Sequence, residues 1–234
     1  MSVELLENAT AALGDLLDEV VFVGGATITL WITDPGAPPA RATKDVDVIV
    51  EVATRPRYYE FEERLRNAGF RDEGTVICRW IHKSGLVLDA MPTDAAMLGF
   101  TNRWQAESFR HAVERELPSG ARIRAVPPPF LVATKIEAFL GRGEGDYLAS
   151  RDFADIVALV DGREELLDEV RVAPLELCAY LATELAVFLD EAHVLDGIYG
   201  QLPPDAASQD RAEAVVVPRL REIVIAATPK SRHP

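Results

Sequence analysis

At 234 residues, with 48% apolar and 26% charged residues, the chain can bury a core without disulfides or a structural metal. Its composition excludes the disordered, fibrous and collagenous classes. A formal net charge of -14 argues against a protein that coats long nucleic acid non-specifically, because such binding is driven by Lys and Arg neutralising phosphates.

No run reaches the roughly 18 uninterrupted apolar residues of a membrane span. Met1 to Thr10 lacks the basic start and apolar centre of a signal peptide, so no membrane is expected and the cytoplasm is the expected location. The charge is unevenly spread. Asp161 to Asp205 holds 11 acidic residues against two basic ones, whereas Arg55 to Lys83 holds seven basic against five acidic, which leaves room for a local phosphate-binding site in the first half. Cys78 and Cys178 have no His or Cys at ligand spacing and read as buried reduced thiols.

In chain order, Val3 to Leu17 carries apolar residues at helical spacing, and Val20 to Val23 reads as a short buried strand. Gly24-Gly25 follows, then an apolar run of helix length, Ala26 to Ile32, stopped by the loop Asp34 to Pro39. The β-branched run Val46 to Val50 is the second strand. A helix is expected over Arg57 to Asn67, closed by Gly69 just past its C-terminus. Val76 to His82 and Leu86 to Ala90, joined by Lys83-Ser84-Gly85, read as a β-hairpin, and Arg110 to Glu116 with Arg122 to Val126 as a second strand pair. After Pro127-Pro128-Pro129 the pattern turns helical: Phe130 to Leu140, Tyr147 to Val160, Glu164 to Val170, Leu175 to Leu189 and Ala212 to Ile225. The expected architecture is α+β over residues 1–126, a helical domain over 127–227 and a disordered tail over 228–234.

Asp45 and Asp47 stand two apart at the start of a strand, so their carboxylates share one face of the sheet. Carboxylates held that close repel unless a cation neutralises them, and Mg²⁺ does so while leaving positions for substrate phosphates. Asp89, in the apolar strand Leu86 to Ala90, is the candidate third carboxylate and needs a partner if buried. Asp-x-Asp alone is more often a turn cap followed by a solvent-facing strand residue, and Gly-Gly alone more often a plain tight turn. The informative feature is the combination of strand, Gly-Gly, helix, loop, Asp-x-Asp strand and a later lone Asp. Lys135 lies in the apolar run Leu131 to Ile136, where a cation needs an anion or must snorkel to solvent. Asp152 and Asp155, three apart on a helix, suit either a helix–helix ion pair or a cleft.

These residues resemble the DNA polymerase beta-like nucleotidyltransferases, and within them the AbiEii-type toxins. The matching positions are Val23-Gly24-Gly25-Ala26, Thr43 to Val48, Asp89, Lys135 to Phe139 with Arg142, and Arg151 to Asp155. The resemblance implies a nucleotidyltransferase-like mixed sheet with flanking helices, followed by a helical domain. It further implies that Gly24 and Gly25 bind a nucleoside triphosphate, that Asp45 and Asp47 ligate Mg²⁺ or Mn²⁺, and that Asp89 is third ligand or general base. Lys135 would contact the triphosphate, with Asp152 fixing it. Many members carry Ser after the glycine pair; Ala26 stands there in this chain, so a hydroxyl contact to phosphate would fall to Thr27 or be missing. The implied acceptor is a tRNA 3′ end, for which Arg55, Arg57, Arg64, Arg66, Arg71 and Arg79 could offer a phosphate-reading surface, and an antitoxin protein is the implied partner. A cationic small molecule such as an aminoglycoside is the alternative acceptor. A non-catalytic binding protein of the same fold is the second alternative.

Overall fold

The structure of the protein, a computed structural model, describes residues 2–52, 54–94, 102–142 and 145–227. The tail expected to be disordered, 228–234, lies outside the described residues. The chain divides into two compact units, Met1–Leu30 with Ala42–Pro127 and Trp31–Arg41 with Pro128–Pro234.

The first unit is a mixed seven-stranded sheet with helices. Its elements are α1 (Ser2–Leu13), β1 (Val20–Val23), β2 (Asp45–Val50), α2 (Arg55–Asn67), β3 (Phe70–Asp72), β4 (Arg79–His82), β5 (Val87–Pro92), α3 (Gln105–Arg110), β6 (Val113–Glu116) and β7 (Arg122–Ala125). The strand order is β3-β4-β5-β2-β1-β7-β6. β2 runs parallel to β5 and β1 parallel to β7, while the other neighbours are antiparallel. All of β1 is buried, as its run of Val and Phe requires. Burial alternates along β5 and the first half of β2: Val46, Val48, Leu88 and Ala90 are fully buried, and the aspartates between them are on the opposite, partly exposed face.

Three local departures from the sequence reading have physical causes. The apolar run after Gly24 is a 3₁₀ stretch, Gly25–Leu30, and no α-helix forms there. The Thr27 amide and hydroxyl both donate to the Gly24 carbonyl, at 3.2 and 2.8 Å, which closes a tighter turn than an α-helix allows. The hairpin strand begins at Arg79 instead of Val76, because Cys78 takes a left-handed backbone, φ 66°, that interrupts the extended chain. Arg110 ends α3 and leaves β6 to start at Val113.

The second unit is helical: α4 (Pro128–Arg142), α5 (Arg151–Gly162), α6 (Leu166–Arg171), α7 (Leu175–Asp190), α8 (Val194–Gln201), α9 (Ala206–Arg211) and α10 (Val217–Ala227), the last preceded by a π turn over Ala212–Val216. Pro128 and Pro129 open α4, where missing amide protons cost nothing. The Ser150 hydroxyl accepts from the Phe153 amide and caps α5. Phe139, Tyr147, Phe153 and Phe188 form an aromatic core, with Phe139 5.7 Å from Phe153 and 5.4 Å from Phe188. Among the described residues no helix is long and apolar enough to cross a membrane.

The segment Trp31–Arg41 has a loop backbone, as its prolines demand, yet it is pinned to the helices of this unit. The Thr33 and Asp34 amides donate to the Gly162 carbonyl at 2.8 and 3.0 Å. Arg211 bridges Asp34 at 2.6 Å and Asp161 at 2.8 Å, and Asp161 is almost wholly buried. Removing the cation of a buried pair leaves the carboxylate uncompensated, so Arg211→Met is expected to cost about 3 kcal/mol in urea unfolding. A loss below about 0.5 kcal/mol, the size usual for a surface change, would show that the bridge is idle.

Candidate active site

Register alone brings the sheet aspartates together. Asp47 on β2 is the direct partner of Asp89 on parallel β5, and Asp45, two residues before Asp47, points to the same face. On the other side of β5, Arg79 of antiparallel β4 is the direct partner of Asp89. On the far side of β2, Asp47 is opposite Val23, the last residue of β1 before the glycine turn. Arg79, Asp89, Asp47 and the end of β1 thus form one row across four strands.

The Arg79 guanidinium fills this row with charge. Its Nε and Nη2 donate to the two oxygens of Asp89 at 2.8 and 2.7 Å, and Nη2 also reaches an Asp45 oxygen at 3.1 Å. Hydrogen bonding to Asp89 holds the guanidinium even further into its protonated range than usual, with Asp45 and Asp47 adding to the effect. The Thr43 hydroxyl donates to the other Asp45 oxygen at 2.8 Å. Beneath Asp89, the buried Tyr58 hydroxyl donates to the Ala90 carbonyl at 2.9 Å and braces β5. Burial first, and then the charges of Asp89 and Asp47, push the Cys78 thiol up to about 12, so it stays protonated.

Gly24 is required by this geometry. Its φ is +80°, and a Cβ there would be 1.9 Å from Asp47 Oδ2. The backbone therefore lies directly against the carboxylate, in space that only glycine leaves open. Gly25 and Ala26 are buried, and Thr27 is wholly buried with its hydroxyl donating to the Gly24 carbonyl. The structure thus puts Thr27 inside the turn as its brace.

Among the described residues no group of three or more His, Cys, Asp or Glu side chains is arranged to hold a metal ion. Arg79 takes oxygens that such an ion would use. The chemistry of the donor set nonetheless fits a hard divalent cation, since all three side chains offer carboxylate oxygens from one face of the sheet.

Lys135, Asp152 and Asp155 belong to the second unit. The Lys135 ammonium is 2.6 Å from Asp155 Oδ2 and 3.1 Å from Asp152 Oδ1, and all three residues are buried. Arg41 grips both oxygens of Asp155 at 2.9 and 3.0 Å, and Arg142 both oxygens of Asp152 at 2.9 and 3.1 Å. Burial pushes the Asp152 carboxyl up, but Arg142 and Lys135 together outweigh it and hold the group below its usual range. The basic cluster expected on the first unit has mixed roles. Arg79 faces the carboxylates, Arg66 stacks over Trp80 at 5.2 Å, and Arg64 pairs with Glu19, while Arg55, Arg57 and Arg71 are exposed.

Gly24→Ala should lower stability by about 1–2 kcal/mol through the left-handed backbone alone, with a further loss from the clash. In a double-mutant cycle Asp47→Ala should recover at least about 0.5 kcal/mol of that further loss; strict additivity would refute the contact. The depressed Asp152 pKa means a contribution present above the ordinary value of 3.8 and lost as the pH falls below it toward the folded value. Urea melts should therefore show Asp152→Asn much less stable than the parent at pH 7, with the gap narrowing below pH 3.8. A gap independent of pH would contradict the ion pairing.

A model of the nucleotidyl transferase AbiEii toxin family, of a type IV toxin–antitoxin system, matches residues 5–193. No curated protein matches the chain. The matched span runs from α1 to the end of α7 and includes the glycine turn, Asp45, Asp47, Asp89, Lys135 and Asp152. The chain belongs to the AbiEii nucleotidyl transferase toxin family.

Proposed function

We propose that the chain is a metal-dependent nucleotidyltransferase that moves a nucleoside monophosphate from an NTP to an acceptor hydroxyl, releasing pyrophosphate. The observation that carries this reading is the pairing of Asp47 with Asp89 on adjacent parallel strands, with Asp45 on the same face. Asp45, Asp47 and Asp89 are the proposed ligands of Mg²⁺ or Mn²⁺. When bound, such ions supply charge neutralisation for the α-phosphate, activation of the acceptor hydroxyl and stabilisation of the leaving pyrophosphate.

The chain's own residues have distinct proposed tasks. Gly24 and Gly25 keep the backbone close and free of side chains, so that main-chain amides can meet phosphate oxygens, and Thr27 holds that turn closed from within. Thr43 orients Asp45 through its hydroxyl. Lys135 is the proposed triphosphate contact and Asp152 the acid that fixes its ammonium; the 3.1 Å approach of the two groups supports the second role. The proposed acceptor is a tRNA 3′ end, with exposed Arg55, Arg57 and Arg71 available to RNA phosphates. Membership in a type IV toxin–antitoxin family supports an antitoxin protein as partner. A second reading, nucleotide binding without turnover, is favoured by one observation: Arg79 already neutralises Asp89 and Asp45.

The test is transfer of radiolabel from each NTP with Mg²⁺ to bulk tRNA and, separately, to aminoglycosides. Label on RNA is expected. Asp47→Asn should reduce transfer by about a thousandfold, the several kcal/mol that a catalytic metal supplies, while changing unfolding free energy by less than about 1 kcal/mol. Nucleotide binding by calorimetry with no label on any acceptor would establish the non-catalytic reading, and label on the aminoglycoside alone would replace RNA by a small molecule.

A further inference from the structure

Resting on the proposed metal site, we infer that Arg79 is a displaceable internal cation: its guanidinium ties Asp89 to Asp45, and a divalent ion must drive it off both to bind. Both Asp89 oxygens and one Asp45 oxygen are already hydrogen-bonded to this one side chain, so ion and guanidinium compete for the same lone pairs. The charges make the competition uneven. A single positive charge faces three carboxylates on one face, whereas a divalent ion neutralises more of them, so displacement is favourable once enough metal is present.

The backbone under Arg79 is held in place, which confines the exchange to the side chain. The Ala90 amide donates to the Cys78 carbonyl at 2.9 Å, and Arg79 lies in ladder register with Asp89. The guanidinium also has a way out. The Arg79 side chain is 30% exposed, against 10% for Lys135 in its own aspartate cluster, so Arg79 can swing into water without passing through packed protein. The consequence is a site whose apparent metal affinity is lowered by its own arginine, while in the metal-free protein that arginine offsets the repulsion between Asp89 and Asp45.

The test is Mn²⁺ binding to the full chain, read from loss of the free-ion electron paramagnetic resonance signal and requiring no turnover. Arg79→Gln is expected to bind Mn²⁺ at least tenfold more tightly than the parent. It should also melt at a lower temperature without metal and recover on adding Mn²⁺. Arg79→Lys, which keeps the charge but loses the two-pronged grip, should fall between the two and serves if the Gln variant does not fold. Equal or weaker Mn²⁺ binding in the variants, or a lowered melting temperature that Mn²⁺ does not restore, would overturn the inference and leave the metal site standing. If neither parent nor variant binds Mn²⁺ at millimolar concentration, the metal reading itself fails, and this inference with it.

Discussion

The constraint from which the candidate site follows is electrostatic: parallel pairing of two short strands forces aspartate beside aspartate. Like charges about 4 Å apart oppose each other by roughly 4 kcal/mol at an effective dielectric of 20, so three cannot be kept together without a cation. The protein answers this with Arg79, delivered by the next strand in register with Asp89. The alternation of the strands makes the arrangement tolerable, since Val46, Val48, Leu88 and Ala90 supply the buried face while the carboxylates keep partial contact with water.

The second unit solves a related problem with the opposite balance. There two buried aspartates, Asp152 and Asp155, meet three cations, Lys135, Arg41 and Arg142, and every carboxylate oxygen has at least one partner. A buried pair of this kind is weak evidence for stability but strong evidence for a fixed geometry, because losing one member strands the others. Arg41 closes the segment Trp31–Arg41, and Arg211 holds its start through Asp34. A stretch rich in proline, with little secondary structure of its own, is thereby held by ion pairs and by two amides on the Gly162 carbonyl.

Much of this was legible in the sequence because period-two alternation and glycine positions are local signals. The mixed sheet, the helical second half, and the placing of Asp45 and Asp47 on one face all follow from such patterns. The role of Arg79 was legible too, though it was read as surface charge: with Lys83-Ser84-Gly85 as the turn, His82 comes opposite Leu86, and counting back puts Arg79 opposite Asp89. What hid it was the assumption of a strand beginning at Val76, which gave no reason to single out the residue after Cys78. Pairings across large sequence separations were out of reach; Arg41 and Asp155 are 114 residues apart. Helices α8 and α9 were missed because glycine and proline argue against helix. Yet Gly197 is there for close packing, since a Cβ would lie 2.4 Å from that of Tyr147, and Asp205 caps α9 by accepting from the Ser208 amide at 3.0 Å.

We propose that one sheet face, with glycine on one side and arginine on the other, holds a doubly charged ion. Anomalous diffraction from crystals soaked with Mn²⁺ and a non-hydrolysable triphosphate examines it most directly. The result expected is a manganese peak about 2.1 Å from oxygens of Asp45, Asp47 and Asp89, with the Arg79 guanidinium moved off both of its present partners. Full occupancy of the triphosphate with no manganese at these carboxylates, and Arg79 still clasping Asp89, would contradict it.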